Sequence, residues 1–249
     1  MSLRGKAAIC GIGETPHRRN WPGRTAYGLC AEVAAQAIRD AGLKKEDIDG
    51  LITFGSNVYP SAMAEYTGIK PIHFASQVGL MGSTSGVALT VAAAMVSAGV
   101  ANYILFVAGG ARDNENPETF DRPSQVAGAM TEWIAPFGPA AGANTNYGMM
   151  YSRHMYKYGT TPEQFAKFAV NQRFNAGKNP LAAMRDPITV EDVLNSPLIA
   201  DPLRRMDACV VTDGGGALVL ARPEIAKSLK RPLVPVLGGS VTAASITRV

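Results

Sequence analysis

The stretch Met81-Gly-Ser-Thr-Ser-Gly-Val-Ala-Leu-Thr-Val-Ala-Ala-Ala-Met-Val-Ser-Ala-Gly99, followed closely by Tyr103-Ile-Leu-Phe-Val-Ala108, decides the fold. Gly86 to Ala98 is small or apolar on every side, so it reads as a helix buried all round. Tyr103 to Ala108 reads as a buried strand. No Lys, Arg, Asp or Glu occurs from Pro71 to Ala111. A membrane span is nevertheless the poorer reading. The run is Ala-rich, Ser83, Thr84, Ser85, Thr90, Ser97 and Asn102 interrupt it, and Gly99 with Asn102 marks a turn. The opening Met81 to Gly86 supports two readings. Backbone N–H groups at a helix N-terminus favour an anion or an activated nucleophile, and small residues let a ligand approach closely. The same Ser and Thr residues also serve as a plain helix cap.

Outward from this centre, strands and helices alternate. Lys6 to Gly13 reads as a buried parallel strand. Ala26 to Ala41 carries Leu29, Val33, Ala34, Ala37 and Ile38 at helical spacing and is stopped by Gly42. Leu51 to Phe54 is a second strand, so the chain opens βαβ, and Ile72 to Ser76 is a short third strand. Such alternation predicts an α/β fold with a parallel sheet and helices on both faces, made mixed by the antiparallel hairpin expected further on. From Arg112 the pattern changes, and the part to about Asn146 reads as an elaborated loop. Thr161-Pro-Glu-Gln164 predicts a capping box opening a helix whose packing stripe is Phe165, Phe168, Ala169 and Gln172. Thr189-Val-Glu-Asp192 predicts a second such start. Ala208 to Thr212 and Ala217 to Ala221, separated by Asp213-Gly-Gly-Gly216, predict an antiparallel hairpin. Glu224 to Leu229 reads as a short helix. Pro232 to Leu237 reads as a strand that opens a new unit shortly before the sequence stops.

Composition narrows the function classes. Hydrophobic residues at 47% supply a globular core. The net charge of +4 is spread along the chain without a Lys/Arg-rich run, which argues against nucleic-acid binding and suits an anionic ligand. Cys10, Cys30 and Cys209 show no metal spacing and their number is odd, which predicts reduced thiols in a cytoplasmic protein. His17, His73 and His154 are far apart, so no metal site is expected. Met1 to Lys6 leads straight into a strand pattern, so no signal peptide is expected. Gly11-Ile-Gly13 lacks the third glycine of a dinucleotide fingerprint and reads as a strand-ending turn. Asp213-Gly-Gly-Gly216 reads as a tight turn needing positive φ, with a phosphate cradle as the alternative.

Four stretches together carry a resemblance. Gly82-Ser-Thr-Ser-Gly-Val-Ala-Leu89 with its helix and following strand resembles the nucleophile region of thiolases. Gly5-Lys-Ala-Ala-Ile-Cys-Gly-Ile-Gly-Glu-Thr-Pro16 is similar to the first strand of the sterol-carrier-protein thiolases. Met155 to Val170, running into Asn171 to Pro180, resembles their loop-domain helices. Asp213 to Leu220 resembles the turn and strand that end their N-terminal half. The resemblance runs from about residue 5 to the end of the sequence. It implies a five-layered αβαβα subunit of two similar halves, usually a homodimer. It also implies a CoA thioester as ligand, with coenzyme A as substrate moiety and no further cofactor. The implied division is residues 1–111 as core, 112–207 as loop domain, 208–230 as closing strands and 231–249 as the start of a second half.

The sequence departs from the family at the nucleophile. Alignment on the helix puts Gly82 at the cysteine position, and alignment on Ser85-Gly86 puts Ser83 there. Ser83 is therefore the candidate catalytic residue, with Gly82, Ser83 and Thr84 as candidate CoA contacts. Asn146-Tyr-Gly148 lies where the family has a loop lining the pantetheine and acyl channel, making Asn146, Tyr147 and Met149 further candidates. His154 reads as a surface or packing residue, and Cys209 as part of a buried strand. The resemblance implies a thiolase-like acyltransferase of the acetyl-CoA acetyltransferase type in lipid metabolism. Its alternatives are a cysteine-less retro-aldolase working with a small OB-fold, zinc-ribbon protein, and a non-catalytic acyl-CoA or lipid-binding module.

Overall fold

The computed structural model describes residues 3–54, 58–111, 143–227, 229 and 232–240. The chain divides into two compact units. One comprises Met1–Arg112 and Thr212–Ala244, and the other comprises Asp113–Val211 and Ser245–Val249. The loop expected from Arg112 to Asn146 lies almost wholly outside the described residues.

The first unit contains β1 (Ala8–Glu14), α1 (Ala26–Asp40), β2 (Gly50–Phe54), α2 (Pro60–Thr67), β3 (Phe74–Val78), α3 (Thr84–Ser97) and β4 (Tyr103–Gly110). The second contains α4 (Ala143–Tyr158), α5 (Pro162–Lys178), α6 (Val190–Asn195), β5 (Leu198–Ala200) and β6 (Leu203–Arg204). The chain then returns to the first unit with β7 (Gly214–Ala221), α7 (Pro223–Ala226) and β8 (Val234–Pro235).

The first unit is built on a six-stranded mixed sheet in the order β3-β2-β4-β7-β1-β8. β2 pairs in parallel with β3 and β4, whereas β7 is antiparallel to both β4 and β1. β1 to β4 therefore all run the same way, and their C-terminal ends share one edge of the sheet. Consecutive residues alternate between faces. Leu51, Leu105, Val107 and Val219 pack with α1, while Ile52, Ile104, Phe106 and Leu220 pack with α3. Asp49 ties the opposite ends of the parallel strands together. Its carboxylate accepts the Asn102 and Tyr103 N–H groups at 2.8–2.9 Å, and its carbonyl accepts the His73 N–H at 2.6 Å.

The structure corrects both glycine readings. Gly11 and Gly13 lie inside β1, because α1 crosses there with no room for a side chain. A Cβ would stand 2.3 Å from the Ala37 carbonyl oxygen at Gly11 and 2.3 Å from that of Val33 at Gly13. Gly109 and Gly215 face the same helix, against Cys30 and Leu29. Gly214, Gly215 and Gly216 are extended strand rather than a positive-φ turn, which is found instead at Gly42 and Gly99, where the helices stop. The expected hairpin is absent: residues 208–212 form no strand, because both edges of β7 are taken by β4 and β1. Cys209 is accordingly exposed instead of buried in a strand. The Pro232–Leu237 run contributes only β8, an edge strand on β1.

α3 is also less enclosed than its composition predicts. Thr84, Ala88, Ala92, Ala93 and Val96 are buried, but Val87, Leu89, Val91 and Met95 are only half-buried among the described residues. On α5 the buried position is Ala166, and Phe168, expected in the packing stripe, is 69% exposed. The capping boxes expected at Thr161/Gln164 and Thr189/Asp192 both form.

Candidate functional site

After β3 the chain makes one 3₁₀ turn, Met81–Ser83, and enters α3 at the shared C-terminal edge of β1 to β4. In an open α/β sheet this edge is where ligands bind. A pair of side chains shapes the turn. The Ser83 hydroxyl donates to the Leu80 carbonyl at 2.7 Å, and the Leu80 N–H donates to Thr84 Oγ1 at 2.7 Å. Thr84 is buried and its hydroxyl serves the turn, whereas Gly82, Ser83, Ser85 and Gly86 are exposed. Ser83 stands at the N-cap but its side chain does not cap the helix. Gly82 has no positive φ, and a Cβ there would meet nothing within 4 Å. The local fold therefore does not demand glycine at this position.

Nothing at this helix start makes a strong nucleophile. Ser83 Oγ is bonded to a backbone carbonyl rather than to a base, and a hydroxyl without a base is a weak nucleophile. Cys10 and Cys30 lie in the core on the α1 side of the sheet, and burial pushes both thiols up to about 11. Such thiols are inert near neutral pH.

In the second unit, Asn146, Tyr147 and Met149 lie on α4 rather than on a loop. Asn146 is half-buried, and Tyr147 and Met149 are about 60% exposed. Gly148 between them is buried, since a Cβ would lie 3.0 Å from the Ala200 carbonyl oxygen. His154 is exposed, with its ring against Tyr158 and Phe165. The sequence reading missed a crevice in this unit lined by Tyr151, Met155, Pro162, Arg204 and Asp207. Burial and the Asp207 charge raise the Tyr151 hydroxyl pKa. It also missed a basic stretch in the first unit, His17, Arg18, Arg19 and Arg24, of which Arg18 and Arg24 lie against the Trp21 ring. The signal was the spacing of those residues within one connection. Among the described residues no group of three or more His, Cys, Asp or Glu could hold a metal ion, and no helix is long and apolar enough to cross a membrane.

No family model matches the chain. Over 96% of its length it is 35% identical to the steroid side-chain-cleaving aldolase of Thermomonospora curvata, of which it covers 62%. It is 34% identical over 93% of its length to the 17-hydroxy-3-oxo-4-pregnene-20-carboxyl-CoA lyase of Mycobacterium tuberculosis, again covering 62% of that protein. The solved structure of the Ltp2-ChsH2(DUF35) aldolase superposes with a TM-score of 0.86 at 36% identity, over 95% of this chain and 60% of that one. The chain has SCP2-thiolase-like homologues. It spans about three-fifths of the length of these relatives. The α1–sheet–α3 stack supplies three consecutive layers of the αβαβα arrangement that the thiolase resemblance implies.

Proposed function

We propose that this chain is the thiolase-like portion of an aldolase that cleaves β-hydroxyacyl-CoA, and that it is not a cysteine-dependent acetyl-CoA acetyltransferase. One observation carries the reading: the chain enters α3 through Gly82, Ser83 and Thr84, and the two buried thiols lie on the other face of the sheet. Thiolysis needs a thiolate that can take the acyl group, whereas retro-aldol cleavage forms no acyl-enzyme. In that cleavage a base removes the β-hydroxyl proton and the β-carbon becomes a carbonyl. The Cα–Cβ bond breaks, its electron pair passes into the thioester enolate, and Cα is then protonated. The positive end of the α3 dipole is suited to the enolate oxygen. Gly82 leaves space there for a bulky acyl group, and Ser83, whose hydroxyl is held by the Leu80 carbonyl, shapes the turn rather than acting as a nucleophile. Tyr147, Asn146 and Met149 line the pantetheine and acyl channel in this reading. The relatives that are aldolases and lyases, at 34–36% identity, support it. The working protein is read as a cytoplasmic homodimer with coenzyme A as substrate moiety, acting with a small OB-fold, zinc-ribbon partner.

The test uses the native protein purified with whatever accompanies it. It is incubated with a CoA thioester bearing a tertiary β-hydroxyl, and in parallel with acetoacetyl-CoA plus CoA. The expected result is a ketone and a shortened acyl-CoA from the first, with no acetyl-CoA from the second. Thiolysis of acetoacetyl-CoA would restore the acyltransferase reading. A CoA-induced rise in Tm with turnover of neither would leave the binding module.

A further inference from the structure

The connection between β1 and α1 holds His17, Arg18, Arg19 and Arg24 within eight residues, and backbone and ring contacts hold Arg18 and Arg24 in place. Arg18 N–H donates to the Asp213 carbonyl at 3.1 Å, and Asp213 N–H returns a bond to the Arg18 carbonyl at 2.6 Å. The buried Asp213 carboxylate accepts the Trp21 N–H at 2.8 Å. The guanidinium groups of Arg18 and Arg24 lie 4.9 and 4.8 Å from the centre of the Trp21 ring, which limits the rotamers of both arginines. Local carboxylates neutralise only part of the cluster: Glu32 pairs with Arg24, while Arg18 and Arg19 make no ion pair among the described residues. Five successive residues, 16–20, are exposed. They would leave a small ligand largely unenclosed, whereas a partner surface could cover them. Cations held in place before binding also lower the ordering cost of association. The connection leaves the C-terminal end of β1, so it stands on the same sheet edge as the start of α3. Four strand spacings separate β1 from β3, about 19 Å. A partner seated here is therefore within reach of that edge.

We propose that the Arg18–Arg24 connection is a docking surface for an acidic segment of a partner protein. The inference is independent of the cleavage reading, because it concerns charge recognition alone. The probe is a fluorescein-labelled deca-glutamate peptide, with fluorescence anisotropy as the readout and Tm recorded for each variant. Arg18→Ala/Arg19→Ala should weaken binding by roughly tenfold, and raising salt from about 50 to about 300 mM should weaken wild-type binding. Lys157→Ala/Lys167→Ala, which loses the same charge elsewhere, should stay within about twofold of wild type. Should the arginine pair lower Tm, Arg19→Glu alone carries the comparison. Equal losses in the two double variants would overturn the proposal, as would no measurable binding. Tighter binding to phosphatidylserine vesicles or to a DNA oligonucleotide than to the peptide would also overturn it.

Discussion

At the scale of single residues, two glycines of the same chain have opposite reasons to be glycine. Gly13 is where α1 approaches the sheet, and a Cβ there would stand 2.3 Å from the Val33 carbonyl oxygen. Backbone must move to admit it, and overpacking of this kind costs about 1–3 kcal/mol. Gly13→Ala should therefore lower unfolding stability by about that amount in a urea titration. Gly82 faces open space with an ordinary φ, so Gly82→Ala should change stability by less than about 0.5 kcal/mol. If Gly82 is kept small for substrate, the same variant should lose cleavage of bulky hydroxyacyl-CoA while its Tm holds. Loss of Tm at Gly82, or none at Gly13, would contradict these assignments. Neither difference was legible in the sequence. The Gly11-Ile-Gly13 and Asp213-Gly-Gly-Gly216 patterns suggest turns, and only the crossing helix shows that Gly11, Gly13 and Gly215 serve close packing.

At the scale of elements, what was legible is what local bonds decide. The Thr161/Gln164 and Thr189/Asp192 boxes form because each needs only groups three residues apart. The alternation of β1, α1, β2, β3, α3 and β4 was likewise readable from apolar spacing. The 208–212 hairpin failed because pairing is a property of the whole sheet, and β7 had no free edge to offer. The α5 stripe failed at Phe168 because period alone does not say which side faces a neighbour. The α6 box has a pH signature. The backbone N–H and side-chain hydrogen bonds of Thr189 hold the Asp192 carboxyl pKa below the usual aspartate value of 3.8. A group depressed in the folded state stabilises it above its unfolded pKa and loses that contribution as pH falls through the folded one. The first turn of α6 should thus loosen only below about pH 4, seen as faster amide exchange at residues 190–195, and Asp192→Asn should remove that dependence. A carboxyl NMR titration for Asp192 centred at or above 3.8 would refute the box as the cause.

At the scale of the whole molecule, the three cysteines test both the fold and the cysteine-free reading of the chemistry. Cys10 and Cys30 belong to one core, packed where α1 meets the sheet, and burial raises both thiols to about 11. At pH 8 such a thiol is about 0.1% thiolate, and a labelling reagent cannot reach it without opening that core. Cys209 is exposed, near the end of the second unit's main segment, and lacks that protection. Native labelling with a thiol reagent should therefore give one fast site at Cys209 and two slow ones. Cys10 and Cys30 should react at a common rate set by unfolding of the first unit, since the same helix covers both. Raising pH past 9 should speed that step. A thiol whose folded pKa lies above its unfolded value near 9.0 stabilises the fold below pH 9, and that contribution is lost as pH rises toward 11. Peptide mapping of the labelled chain separates the three sites. Rapid labelling of Cys10 or Cys30 in the folded protein would reveal a reactive thiol within the thiolase-like core and would sink the cleavage mechanism proposed for it. Slow, coupled labelling of that pair would leave the start of α3 without a thiol to compete with retro-aldol chemistry.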